Sequence, residues 1–248
     1  QQWRTLQSHP ILAHQILSNI PNLPKSISIA VLEHHECFDG SGYPFNKPGS
    51  QLSVMGQIVG MADACIAIYK RELAHKKLRF DALTAVLQLN PGLYRESVFS
   101  ATLSLISSNN CAQQRVYQDS DMPELISRLM IDNQSIQHDY RVIFTVLKSI
   151  APYAPKNKKN AMLEITSNRV ERFFEKSGIL NKKHYQWLLV SSGAHQVDDY
   201  QAIEALELIY SEVKWQLKQL IKLLCWLWDK KQFKHPKLQE MVQKGLDQ

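Results

Sequence analysis

The chain has 248 residues, 44% of them apolar and 21% charged, a balance that excludes general disorder and leaves room for one large domain or two ordinary ones. Its formal charge of +6 suits an anionic ligand such as a nucleotide, but no stripe of Arg and Lys interleaved with aromatics is present, so nucleic-acid binding is not expected. Cys37, Cys65, Cys111 and Cys225 form no CxxC pair, which predicts thiols in a reducing cytoplasm rather than a disulfide framework.

Long segments with apolar residues every three or four positions, broken by only nine glycines and ten prolines, predict an all-α protein. The first helix spans 2–19, with Pro10 either kinking it or starting a new helix after His9. Pro21 and Pro24 mark a turn, and a second helix runs from about Lys25 to Cys37. The stretch 39–50 holds three glycines and two prolines and reads as an ordered loop. Helical spacing resumes over 52–69 and 80–89, breaks at Asn90-Pro91-Gly92, and continues to about Ser107.

Residues 108–121 are polar and aperiodic, so a boundary is placed there, between a first domain at 1–108 and a helical region at 122–248. Four helices are expected beyond it: 122–151, 159–177 ending at a C′ glycine, Gly178, 182–191, and 198–231 with Asp198 and Asp199 at its start. In the last helix Ile203, Leu206, Tyr210, Val213, Leu217, Leu220, Leu224 and Leu227 form a heptad-like seam. That seam reads either as the core stripe of a bundle or as a surface for a protein partner or homodimer. Leu217–Trp228 contains Lys218 and Lys222, and no uncharged run reaches the roughly 18 residues of a membrane span. No signal peptide opens the chain, so a cytoplasmic location is expected. Starting at Gln1 inside a helical pattern, the sequence reads as a fragment or as a protein whose beginning was lost.

Four residues of the first quarter are candidate metal ligands: His9, His34, His35 and Asp63. Neighbouring helical residues point about 100° apart, so His34 and His35 on one helix are expected to reach two metals lying side by side rather than to share one. Glycines flanking Ser41 allow a tight backbone path next to a metal, and Tyr43-Pro44 stiffens its exit. Imidazoles with a carboxylate suit iron, manganese and other transition metals better than magnesium or calcium. His14, just beyond His9, is a candidate supporting residue. The remaining histidines have no partners at useful spacing.

The run His34-His35-Glu36-x-x-Asp39-Gly40-x-Gly42-Tyr43-Pro44 resembles the HHExxDGxGYP signature of HD-GYP domains, a branch of the HD phosphohydrolase superfamily. His9-Pro10 with Ile16-Leu17 resembles the upstream helix of that family, and Met61-Ala62-Asp63 with Ala67 the downstream one. The resemblance covers residues 1 to about 108 and implies an HD-domain-like helical portion followed by a second helical bundle. It implies hydrolysis of cyclic di-GMP or a related cyclic dinucleotide by two or three divalent metals, iron or manganese. His9, His34, His35 and Asp63 would be ligands. Gly40, Gly42, Tyr43 and Pro44 would shape the loop over the substrate, and Arg71 would meet phosphate.

The sequence also departs from the family pattern. The His-Asp doublet, the lysine after it and an earlier ligand precede the position of His9 in the family, and no counterpart stands here. Tyr69-Lys70-Arg71-Glu72 replaces the usual R-x-Y-R, and Cys37 stands where arginine is common. Two readings follow: a piece of a longer phosphodiesterase, or a catalytically degenerate protein serving as a cyclic-dinucleotide sensor or interaction module.

Overall fold

The computed structural model describes residues 2–74, 80–108, 117–153, 158–191 and 197–229. Among them there are helices and turns but no strand, so the chain is all-α. It forms two compact units, Gln1–Gln114 and Arg115–Gln248.

The first unit contains α1 (Gln2–Ser18), α2 (Lys25–Glu33), α3 (Val54–Ile68), α4 (Leu83–Leu87) and α5 (Glu96–Ser108). Helix α1 runs through Pro10 without breaking, although the proline removes one intrahelical hydrogen bond. Helix α1 packs on α2, α2 on α3, and α3 on α5. The core holds Met61, Leu73, Leu83, Val86 and Ile106. Helix α3 starts at Ser53, whose hydroxyl accepts the Gly56 N–H at 3.0 Å, as an N-cap should. It passes at Tyr69–Leu73 into a π-helical turn. The expected helix over 80–89 is a 3-10 turn at Phe80–Ala82 followed by the short α4.

Helix α2 ends at Glu33, four residues before the expected Cys37. The Glu36 N–H closes on the Glu33 carbonyl at 2.8 Å, a tight i to i−3 turn in place of another helical turn. His34 and His35 therefore sit in this turn. Exposed apolar side chains lie on α1 (Leu12, Ile16) and α3 (Val54, Met55, Ile58, Val59, Ile66).

The second unit contains α6 (Met122–Ile150), α7 (Lys158–Ser177), α8 (Lys182–Ser191) and α9 (Val197–Asp229). Gly178 ends α7 at φ +68°, the left-handed position that glycine takes most readily. Asn181 caps α8 by accepting the Lys183 N–H at 2.9 Å. All eight residues of the α9 seam are buried, and α9 packs on α6 and α7. The seam is thus spent on this unit's own core rather than presented to a partner. The side chains of Asp198 and Asp199, together with His195 and Cys111, lie outside the described residues.

A polar chain crosses this core. Asn133 on α6 donates to the Tyr210 hydroxyl at 2.8 Å, and Tyr210 bonds His184 Nε2 at 2.9 Å. Burial holds the His184 imidazole below its usual range. The unfolded chain therefore takes up a proton at pH values where the folded one refuses it, and stability falls as pH drops below 6.5. Denaturant titrations of the wild type and His184→Gln at pH 7.5, 6.5 and 5.5 should converge as the pH falls. Parallel curves would show that His184 carries no such linkage.

Candidate metal centre

Three elements bring the histidines together. His9 projects from α1, which His14 ties to α2 by donating Nδ1–H to the Ser28 carbonyl at 2.9 Å. His34 and His35 occupy the turn after α2. One ring nitrogen from each of His9, His34 and His35 lies within 4.8 Å of the others. The His34 and His35 ring centroids are 3.9 Å apart, and His9 lies 4.9 Å from His35.

Adjacent imidazoles were expected to diverge toward separate metals. The structure instead sets the two rings side by side in the turn, with centroids 3.9 Å apart. Two nitrogens bound to one first-row ion at about 2.1 Å each can stand at most about 4.2 Å apart. One ring nitrogen from each of the three lies near that limit, within 4.8 Å of the others.

The tautomers agree with this. His34 Nδ1 donates to the Val31 carbonyl, which leaves Nε2 as a lone-pair donor aimed at His9 Nε2, 3.3 Å away. Two facing nitrogens need either a proton or a cation between them. Burial, with His34 and His9 adding to it and Asp63 opposing, pushes His35 down to about 4. Its ring is therefore neutral and able to ligate at neutral pH. The donor set fits a divalent transition metal.

Asp63 on α3 stands outside the trio, with Oδ2 3.9 Å from His35 Nδ1. A neutral His35 makes no ion pair there, and the distance is too long for a hydrogen bond. It is short enough for both atoms to reach one cation. Arg71 lies in the π-helical turn, where its Nε donates to Glu72 at 2.8 Å.

Tyr43 walls one side, its ring centroid 4.7 Å from that of His35. Burial, then the negative charges of Asp63 and Cys37, push its hydroxyl up to about 12, so it remains a protonated donor. Its backbone N–H bonds the His35 carbonyl at 3.0 Å, and the Tyr43-Pro44 peptide is cis. Gly40 sits at φ +77°. A Cβ on Gly42 would collide with the Cys37 nitrogen, Glu36 Cα and the His35 oxygen.

Several residues that shape the site have no role assigned from sequence, although Glu36 stands within the His34-to-Pro44 run. A Cβ on Gly60 of α3 would strike the His34 carbonyl oxygen, so glycine there lets α3 approach the histidine turn. Glu33 and Glu36 are buried, 2% and 3% exposed, and both accept hydrogen bonds from the following loop. Buried Gln57 accepts the Arg95 N–H at 3.1 Å. A loop rich in unpaired N–H groups beside two carboxylates was the available signal, but glutamates near a helix end usually face solvent.

Residues 1–94 match the family model described as "HD domain". The chain is 32% identical over 108 residues to a cyclic di-GMP phosphodiesterase of Thermotoga maritima, covering 42% of this chain and 29% of that protein. It is 33% identical over 84 residues to the cyclic di-GMP phosphodiesterase PdeB of Borreliella burgdorferi, covering 34% and 21%. A 3'3'-cGAMP-specific phosphodiesterase of Vibrio cholerae is 29% identical over 89 residues, covering 36% and 19%. The matched region spans less than a third of each of these relatives. No solved structure gives a significant match.

Proposed function

We propose that the unit whose residues 1–94 match the HD-domain model is of the HD-GYP type, holds a divalent transition metal and serves the hydrolysis of a cyclic dinucleotide such as cyclic di-GMP. The observation that carries this reading is the convergence of His9, His34 and His35 within 4.8 Å. Those three imidazoles would hold the ion, and Asp63 would reach it from α3. Iron or manganese suits the nitrogen-rich set. A bound cation would supply positive charge for phosphate oxygens and acidify a water molecule.

The protein's own groups do the rest. The neutral His35 ring offers its lone pair without first losing a proton. Tyr43, protonated at working pH, can donate to a phosphate oxygen or a guanine edge. The loop that carries it covers one side of the histidines. A second ion, as the two-metal reading requires, would need donors beyond this set. A cytoplasmic setting accords with a second-messenger ligand, and a protein partner would meet the apolar faces of α1 and α3 rather than the buried α9 seam.

A second reading has its own support. Among the described residues no carboxylate joins the histidine trio, and Arg71 is engaged by Glu72. A module that binds the dinucleotide without cleaving it would look like this.

One assay separates the readings. The manganese-loaded protein is incubated with cyclic di-GMP and 3'3'-cGAMP, and products are resolved by chromatography, with calorimetry alongside. Hydrolysis, lost on chelation, is the expected result. Dinucleotide binding without turnover would favour the sensor, and failure to retain any metal would remove the basis for both.

A further inference from the structure

The pair His34-His35 is bracketed in sequence by two buried carboxylates, Glu33 and Glu36. Both reach across to the same loop. Glu36 accepts the Phe45 N–H on Oε1 at 2.6 Å and the Lys47 N–H on Oε2 at 3.0 Å. Glu33 accepts the Ser53 N–H at 2.9 Å and the Lys47 ammonium at 2.8 Å. The loop's path from Tyr43, which packs on His35, to Ser53 is thus held from inside at three successive points.

We propose that Glu36, with the Glu33–Lys47 pair as a second tie, is a positioning residue for the metal centre, fixing the Tyr43 loop so that His35 is held against His34 and His9. The proposal rests on the metal reading above. Its physical basis is donor and acceptor accounting. Each Glu36 oxygen takes one backbone N–H, so an amide in its place would turn a donor toward one of them and leave that N–H without an acceptor. Phe45 and Lys47 follow Tyr43 by two and four residues, and Tyr43 holds His35 twice, through its ring and through its N–H. Slack at Phe45–Lys47 therefore passes to the ligand. Groups that orient ligands in this way typically change metal affinity by about 10–100-fold when removed.

The test is a cobalt(II) titration of the intact chain, followed by its visible absorption bands, which report coordination. Wild type is compared with Glu36→Gln, with Glu36→Asp, which keeps both acceptors but draws them back by one methylene, and with Leu83→Ala, a core truncation on α4. Expected are cobalt binding by the wild type, about 10–100-fold weaker binding and shifted bands for Glu36→Gln, and an intermediate result for Glu36→Asp. Leu83→Ala should melt at lower temperature yet bind cobalt as the wild type does. Should Glu36→Gln fail to fold, Glu36→Asp carries the comparison. Wild-type affinity and spectrum in both Glu36 variants would overturn the proposal. So would equal weakening in Leu83→Ala, since affinity would then follow stability alone. A folded wild type that binds no cobalt would remove the metal reading itself.

Discussion

His35→Ala is expected to weaken divalent-metal binding by about a hundredfold or more, while the first unit still folds. The size follows from its place. Loss of a group that merely orients a ligand already costs about 10–100-fold in affinity, and His35 is one of three imidazoles whose nitrogens meet within 4.8 Å. Folding should survive because the link between this turn and the loop runs through the backbone. The Tyr43 N–H bonds the His35 carbonyl, and alanine keeps that carbonyl. The ring itself is half-buried, with its pKa pushed down to about 4 by burial and by its two neighbours. Its removal costs the contact with Tyr43 but also relieves that crowding. Calorimetric titration with manganese, together with circular dichroism, separates affinity from fold. An affinity within threefold of wild type would remove His35 from the ligand set.

The second large effect concerns stability. Gly42→Ala should destabilise the first unit by about 3 kcal/mol or more, the upper end of overpacking penalties. The added methyl would overlap three backbone groups, in Cys37, Glu36 and His35, and no side-chain rotation can relieve a clash with main chain. Two other glycines grade the expectation. Gly40 has nothing nearer than the Asn46 oxygen at 4.0 Å, but its φ of +77° charges an L residue about 1–2 kcal/mol. Gly92 has open space and no unusual φ, so Gly92→Ala should stay within about 0.5 kcal/mol of wild type. Urea unfolding of the three variants gives the order directly. Equal midpoints for the alanine variants of Gly42 and Gly92 would mean that the loop does not lie against the histidine turn as described.

Much of this was legible from residues alone, where the signal is local. Periodicity predicted the helices around α1, α3 and α6 to α9, and Gly178 predicted the end of α7. The His34-to-Pro44 signature points to an HD-type domain, in line with the HD-domain model that matches residues 1–94. What escaped was set by contacts distant in sequence. The sequence predicts α2 as far as Cys37 because Glu33–Cys37 has no glycine or proline to stop it. It ends early because Glu36 turns inward to accept N–H groups nine and eleven positions ahead, and nothing in a single helical window records that pull. Gly60 carries no local signal in the sequence. Its reason, the His34 carbonyl pressed against α3, exists only once two helices are packed. The seam of α9 leaves both a bundle core and a dimer open in the sequence for a related reason, since a heptad stripe is compatible with either until its neighbours are known.

The central claim is that imidazoles gathered at the end of one short helix share a cation. X-ray absorption at the metal edge of the manganese- or cobalt-loaded protein tests it most directly, because it counts imidazole nitrogens around the ion. The account predicts a shell containing three imidazoles, matching the trio of His9, His34 and His35. A shell of oxygen atoms alone, or an intact helical protein that retains no ion, would contradict it.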